Sequence, residues 1–253
     1  MKTPMIASSL AFLALLACSA PGRSTTAAAA PDTGEIRWQV EPDTGRGDAP
    51  RLRLNHRTST NDMALDDALV RSRPEFTAAR SALGGGAGAV TFRVMHEAGT
   101  LDCSGTLAHA YEGKGQCRFA PDAGFEHELA DRGLAPAKRS DLLAMLMVDA
   151  TLALADGLAR EGVKPVDSGD LIGAAALGVT PDYVRDLKVA SMKLTSIGDA
   201  IACRALGVDG PYVRELADAG YTDLSSDDVV GMKALGVTGA YAKAMNRMAG
   251  AAR

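Results

Sequence analysis

Three copies of one tripeptide decide the fold of the C-terminal half: Leu177-Gly178-Val179, Leu206-Gly207-Val208 and Leu235-Gly236-Val237. Neighbouring copies stand 29 residues apart. Each copy is followed by a tyrosine in the same register, at Tyr183, Tyr212 and Tyr241. A period of this length is typical of supersecondary units that stack and bury their apolar faces against each other. Stacks of this kind usually bind other molecules and do not catalyse reactions.

Each 29-residue unit has the signals of two short helices. Ser196 to Asp199 and Ser225 to Asp228 resemble capping boxes, which start a helix. Gly178 and its equivalents stand where a helix end requires positive φ. Thr180-Pro181 then starts the second helix. The apolar spacing predicts that the tripeptide leucines face inward and that the three tyrosines fill equivalent slots between helices.

The period extends backward with less regular copies. A half unit covers about 122 to 134, and four full units start near 138, 167, 196 and 225, which predicts a helical domain over 122–250. Upstream, residues 35–121 contain alternating apolar and polar stretches typical of four or five strands, such as Ile36 to Val40. Residues 62–83 are compatible with a helix. The predicted fold class is α+β: a small antiparallel β-sheet domain followed by an α-hairpin repeat, solenoid-like domain.

The N-terminus has the features of an export signal. Residues 1–17 combine Lys2 with a short apolar stretch and predict a signal peptide. Leu15-Leu16-Ala17-Cys18 resembles a bacterial lipobox, which predicts lipidation at Cys18. Cleavage after Ala20 is the alternative, although Pro21 would follow the cut bond. Residues 18–34 are rich in Ala, Ser, Thr, Pro and Gly and predict a flexible tether. We expect a periplasm-facing protein, anchored in the outer membrane by lipid alone.

Cysteine use agrees with export to an oxidising compartment. Cys103 and Cys117 lie on neighbouring predicted strands with the same facing, so they form either a disulfide or two small core residues. Cys203 occupies an inward column of the repeat and predicts a buried free thiol. The net charge is −4 and the chain has no basic run, which argues against nucleic acid as a partner.

A search for catalytic patterns finds none that holds. His127-Glu128-Leu129-Ala130-Asp131 begins like a zinc-protease helix but lacks the second histidine, and Leu129 belongs to the repeat register. The four histidines are scattered and are expected at the surface. We therefore expect no catalytic, cofactor-binding or metal-binding residues, no cofactor and no enzymatic activity.

The second helices offer a candidate partner surface. Their outward positions place three bases at the repeat period, accompanied by acids at helical spacing. The bases are Arg185, Arg214 and Lys243. This stripe is either a contact surface for an envelope protein or a solvated face of charge pairs that support the helices.

The repeats also carry a family resemblance. Leu177-Gly-Val-Thr-Pro-Asp-Tyr-Val-Arg-Asp-Leu and Leu206-Gly-Val-Asp-Gly-Pro-Tyr-Val-Arg-Glu-Leu resemble the repeats of bacterial exported proteins and lipoproteins. They are also similar to the extracytoplasmic repeats of BlaR-type sensors. Phe92-Arg-Val-Met-His-Glu-Ala-Gly-Thr-Leu-Asp-Cys-Ser-Gly is similar to the sheet that precedes those repeats. The resemblance covers about 89 to 248 and implies a sensor-like or scaffold module, without catalytic residues to transfer.

Together these observations favour a lipid-anchored periplasmic module for protein interaction or envelope sensing, without catalytic activity. One alternative is an enzyme accessory or weak hydrolase whose site lies between the sheet and the repeats. Another is a periplasmic binding protein for a small molecule.

Overall fold

The computed structural model describes residues 35–42, 49–57, 62–69 and 73–251, all within one compact unit. The predicted signal peptide, the tether and Cys18 lie outside the described residues. The described chain is α+β, with one antiparallel sheet in its N-terminal half followed by helices.

The sheet has six strands in the order β3-β2-β1-β6-β5-β4, and every neighbouring pair is antiparallel. Its strands are β1 Glu35–Glu41, β2 Arg51–Arg57, β3 Asp62–Ala68, β4 Gly88–His96, β5 Gly99–His109 and β6 Glu112–Pro121. Side chains of the expected strands alternate between buried and exposed, as the sequence predicts. On β1 the buried side chains are Ile36, Trp38 and Val40.

Residues 62–83 differ from the helix expectation. Their first part is β3, which pairs with β2 and continues the sheet to a sixth strand. A single 3-10 turn at Pro74–Phe76 and a short helix follow. The expectation was wrong for β3 because short acidic strands at a sheet edge have little β-propensity of their own; their pairing with a neighbour decides the structure.

From α3 onward the helices follow the predicted 29-residue period. They are α1 Thr77–Leu83, α2 Ala123–Asp131, α3 Arg139–Val148, α4 Leu152–Arg160, α5 Ser168–Leu177, α6 Pro181–Val189, α7 Ile197–Ala205, α8 Gly210–Asp218, α9 Ser226–Ala234 and α10 Gly239–Ala251. Each predicted unit thus contains one helix pair, from α3 and α4 to α9 and α10.

The helix starts are confirmed in atomic detail. Ser196 Oγ accepts a hydrogen bond from Asp199 N at 3.1 Å, and the Asp199 carboxylate accepts one from Ser196 N at 3.0 Å. Ser225 and Asp228 repeat the arrangement at the start of α9. Such caps satisfy backbone N–H groups that have no partner inside the helix, and each stabilises its helix by about 1 kcal/mol.

Alternate helices contact each other along the helical part. The first helices of the units make the contacts α3 with α5, α5 with α7 and α7 with α9; the second helices make α4 with α6, α6 with α8 and α8 with α10. These are the contacts that a stack of hairpins makes. A continuous solenoid stays a prediction.

The sheet covers the start of this helical part. Helix α3 contacts β3, β5 and β6. One apolar core runs from the sheet through α2 and α3, where Leu129, Leu142 and Met145 are fully buried. The first unit therefore has the sheet as a neighbour on the side where later units have a preceding hairpin.

Trp38 is the centre of the sheet's core. Its ring is 1% exposed, packs edge-on to Phe92 and donates from Nε1 to Ser104 O at 3.1 Å. Gly105 and Gly115 pair with each other on β5 and β6 and lie under this ring. A Cβ on either glycine would overlap the indole and the neighbouring backbone. The Trp38 ring fits here because these two strand positions carry no side chain.

We predict that Gly115→Ala lowers the free energy of unfolding by about 1–3 kcal/mol, because the added methyl forces Trp38 out of its slot. Urea unfolding followed by the fluorescence of the single tryptophan measures this. Gly86→Ala is the matched control, since a Cβ there meets nothing within 4 Å. Equal stability of the two variants would contradict the packing argument.

Candidate interaction surface

The three residues of each Leu-Gly-Val turn have different structural roles. The glycines have φ values of 69° at Gly178, 67° at Gly207 and 73° at Gly236, a region that glycine enters without steric cost. Val179 and Val208 follow them and are fully buried. The turn residues thus end one helix and insert an apolar anchor, as the sequence predicts.

The leucines of these turns face solvent, which corrects the expectation that they point inward. Leu177 is 40% exposed, Leu206 43% and Leu235 84%. Each stands at the end of a first helix, one turn of helix beyond the last inward position. We call these three residues the leucine ridge. Packing inside the described chain does not require an apolar residue at an exposed position, so the repetition of leucine there needs another explanation.

The tyrosines fasten each hairpin to the next. Tyr183 Oη donates to Val208 O and Tyr212 Oη donates to Val237 O, both at 2.8 Å. Burial raises the pKa of both hydroxyls, so they stay protonated donors. Each hydrogen bond joins a second helix to the turn of the following unit.

A base from the following unit covers each of these rings. Arg204 lies 5.0 Å from the ring centroid of Tyr183, and Lys233 lies 4.1 Å from that of Tyr212. Both distances suit a cation–π contact. Arg204 also donates from Nε to Leu177 O at 3.0 Å, so it bridges the ridge and the tyrosine.

Tyr241 does not share this arrangement, which corrects the expectation of three equivalent slots. It is 56% exposed, whereas Tyr212 is 7% exposed. Met245 and Met248, further along α10, are 41% and 61% exposed. Met232 and Val237 are half-buried beside them. We call Met232, Val237, Tyr241, Met245 and Met248 the open end, because each is more exposed than its equivalent in the preceding unit.

The predicted basic stripe is largely engaged in ion pairs between helices. Arg185 contacts Glu161 at 2.6 Å and Asp182 at 2.7 Å. Arg214 contacts Asp186 on the preceding second helix at 3.0 Å. Lys243 lines a small groove with Asp218 at the end of the row. These exposed pairs contribute little individually, but they favour the charge-pair interpretation of Arg185 and Arg214.

The cysteines occupy two different environments. Cys103 and Cys117 are paired residues of β5 and β6, and their sulfur atoms are bonded to each other. Cys203 on α7 is buried and unbonded, and burial raises its pKa to about 11. A thiol with that pKa is almost entirely protonated at neutral pH and is a poor nucleophile.

A cluster at the end of β4 joins the sheet to α3. The Asp149 carboxylate lies 2.9 Å from the Arg73 guanidinium and 3.3 Å from His96 Nε2. Arg73 also donates to the carbonyl of Leu146 at the end of α3 at 2.7 Å. Ala98 N donates to His96 Nδ1, which leaves the imidazole proton on Nε2, facing Asp149. We call Arg73, His96 and Asp149 the latch.

The expectation that the four histidines lie at the surface is wrong for His96 and His56 and holds for His109 and His127. The His96 side chain is 2% exposed and His56 is 3% exposed. For His56 the strand pattern contained the signal, because it follows Leu52 and Leu54 in the inward alternation of β2. His96 likewise follows Phe92 and Val94 in the inward alternation of β4, so its burial had the same signal. Its partners Arg73 and Asp149 had none, because they are distant in sequence. His127 is exposed on α2, close to Asp131.

A polar groove of about 800 Å³ lies on the outer face of the sheet. Its side chains include Arg37, Gln39, Asn55, Lys114 and Gln116. Small-molecule sites are usually concave and walled by apolar side chains, and this groove has polar walls. Its composition gives a small-molecule function little support.

Two further properties concern the described residues alone. They contain no group of three or more His, Cys, Asp and Glu side chains able to hold a metal ion. No single helix among them is long and apolar enough to cross a membrane; only α3 and α4 taken together, bent by 78°, meet the length and composition of a span. Comparison with protein-family models, curated proteins and solved structures gives no match for this chain.

The latch predicts a pH dependence of stability. Burial and then the nearby Arg73 lower the pKa of His96 from its ordinary value of 6.5, against the opposing effects of Asp149 and Glu97. The folded chain therefore keeps the imidazole neutral while the unfolded chain takes up a proton as the pH falls below 6.5. The unfolded state binds more protons in this window, so the free energy of unfolding falls with the pH.

We expect the thermal midpoint to decline between pH 7 and pH 5.5, and His96→Asn to flatten this decline while lowering the midpoint at pH 7. Calorimetry at several pH values measures both effects. His127→Asn, at an exposed site, is the control and should keep the wild-type slope. A slope unchanged by His96→Asn would exclude His96 as its source.

Proposed function

We propose that this chain is a non-catalytic module for protein interaction or envelope sensing. It faces the periplasm and is held in the outer membrane by lipid on Cys18. The resemblance of its repeats to those of exported bacterial proteins and BlaR-type sensors supports this class, as does the lipobox-like stretch. The observation that carries the proposal is the leucine ridge, an apolar column that repeats with the period of the fold and remains exposed.

The arrangement of the latch side chains supports the enzymatic alternative less than it supports a structural role. The latch is the convergent group of titratable residues between sheet and helices in the described chain. Its carboxylate and guanidinium contact each other, the guanidinium donates to the end of α3, and the His96 ring accepts from Ala98 N and packs edge-on to Phe125. A histidine whose carboxylate neighbour is held by an ion pair at a junction between elements suits stabilisation better than hydrolysis.

The ridge is the surface on which we expect an envelope protein to bind. Its leucines are spaced along neighbouring first helices that contact each other, so a partner can meet them together. Arg204, which donates to Leu177 O, lies beside it and offers a polar contact at its rim. An apolar centre with a polar rim is the usual composition of protein interfaces. Arg185, Arg214 and Lys243 remain a second candidate contact row, with two of the three already paired.

The binding test uses charge placed on the ridge. Leu206→Glu should reduce the amount of envelope protein recovered in pull-downs about tenfold, since an unpaired carboxylate would be buried in the contact. Quantitative mass spectrometry of the recovered proteins measures this. Val189→Glu is the matched control, because Val189 is 74% exposed at the end of α6, a second helix, whereas the ridge lies at the ends of first helices. Equal recovery with both variants, at wild-type thermal midpoints, would remove the ridge as the binding surface.

The anchor has a separate test. We predict that Cys18→Ala moves the protein from the membrane fraction to the soluble fraction or leaves it unprocessed, because no other residue would carry the acyl chains. Cell fractionation with mass spectrometry of the N-terminus measures this. Cys203→Ala keeps the same fractionation in the control. A wild-type protein that is soluble and begins after residue 18 would contradict the lipid anchor.

A further inference from the structure

The outward face of the sheet is open in the described part of the chain. Helices α1 and α3 share the core with the inward side chains of the sheet, such as Trp38 and Leu101. The outward side chains of β4 and β6 are exposed. Two shallow grooves lie on this face, one of about 800 Å³ over β1, β2 and β6 and one of about 640 Å³ over β4, β5 and β6. Together they extend over five of the six strands.

These two grooves are basic, although the chain as a whole is acidic. Five bases line them with two acids, Glu35 and Asp102, which gives the grooves a net charge of +3. The whole chain has a net charge of −4. We call the five bases the basic face; they are Arg37, Arg57, Arg93, Lys114 and Arg118. A surface of this sign attracts an anionic partner.

Two bases of the basic face have no carboxylate beside them. Arg37 and Arg93 each form an ion pair with an acid at 2.5 Å. Lys114 and Arg118 have no ion-pair partner among the described residues. Both lie on β6, which with β1 forms the centre of the sheet. Their positive charges are therefore available to an anion that approaches the middle of the face.

The remaining outward side chains indicate which kind of anion fits. Among the described strands none of the outward side chains is aromatic, and Met95 near the end of β4 is the only large apolar one. Protein interfaces usually have an apolar centre, and single-stranded nucleic acids stack their bases on aromatic rings. This face instead offers charged, amide and hydroxyl donors, including Asn55 and Ser104. Such donors suit the oxygens of phosphate groups.

The predicted lipid anchor brings a surface of phosphates within reach. Glu35 begins β1 and lines the larger groove, and the predicted tether directly precedes it. A flexible linker of about 17 residues has a root-mean-square length of roughly 20–25 Å. Six strands spaced about 4.8 Å apart make a sheet about 25 Å wide. Lipid on Cys18 would thus hold the basic face at a distance from the bilayer that is comparable to the width of the sheet.

We infer that the basic face lies against the anionic phospholipid headgroups of the bilayer that carries the anchor. The inference rests on the proposed function, because the lipid on Cys18 is what favours a bilayer as the partner. Each base near an anionic leaflet strengthens binding by a factor of about five. The contact also orients the protein. The helices pack on the opposite face of the sheet, so the leucine ridge lies on the side away from the bilayer.

Vesicle binding without the anchor tests the inference. The chain is prepared without its predicted signal peptide and with Cys18→Ser, so that it carries no lipid. Sedimentation measures its binding to vesicles of phosphatidylcholine and to vesicles of phosphatidylcholine mixed equally with phosphatidylglycerol. We expect binding to the mixed vesicles to be about tenfold tighter or more at low salt. High salt should remove this difference, because it screens the charges.

Charge reversal assigns the binding to the basic face. Lys114→Glu with Arg118→Glu should weaken binding to the mixed vesicles about tenfold or more. The same positions changed to Gln should weaken it less, since no repulsion is added. Lys164→Glu with Lys243→Glu is the matched control, because it changes the charge equally at exposed sites of the helical part. Circular dichroism with wild-type thermal midpoints confirms that the variants fold.

The other outcomes separate this inference from the proposed function. Equal binding to both kinds of vesicle, or equal losses in the two charge-reversed variants, would overturn the inference. Tighter binding to poly-glutamate than to the mixed vesicles, at the same concentration of negative charge, would overturn it in favour of an acidic protein segment. If vesicle binding fails while Cys18→Ala still releases the protein from the membrane fraction, the basic face loses its role and the anchor stands. Vesicle binding by a chain that is soluble in cells would support the basic face and remove the anchor.

Discussion

A two-helix hairpin of this length cannot bury its apolar face by itself, and the whole helical part depends on that constraint. Its inward positions are covered only when a neighbour packs on them. Tyr212 shows how the contact is made: its ring is buried by the next unit, its hydroxyl donates to Val237 O, and Lys233 covers its face. Apolar burial supplies most of the stabilisation, and the hydrogen bond fixes the register between units.

The same constraint explains why the sheet and the helices share one core. The first hairpin needs a neighbour on its leading side, and the sheet supplies it through the contacts of α3. The latch holds this junction with polar groups, since Arg73 satisfies carbonyls at the end of α3 while pairing with Asp149. Removing Asp149 would leave the Arg73 guanidinium, whose side chain is 21% exposed, without its carboxylate, which costs more than the pair itself contributes.

Much of the helical part could be predicted from the sequence, because the interactions that start and end its helices are local. Ser196 with Asp199, and Gly178 at positive φ, satisfy backbone groups within a few residues, so their spacing alone predicts their roles. The latch could not be predicted, because its members come from three distant segments. The exposure of Leu235 was missed for a different reason: helical spacing identifies an apolar face but does not say whether a neighbour covers it.

The exposure of Leu206 and Leu235 distinguishes two reasons why residues repeat in this chain: packing between hairpins and a role at the surface. A residue that repeats because of packing becomes exposed only where the packing ends, as Met245 does at the position of Leu216. Leu177 and Leu206 are exposed inside the array as well, where their neighbours are present. Their repetition therefore cannot be ascribed to burial between hairpins. The ridge and the open end are distinct surfaces with distinct causes, and Leu235 is the residue at which they meet.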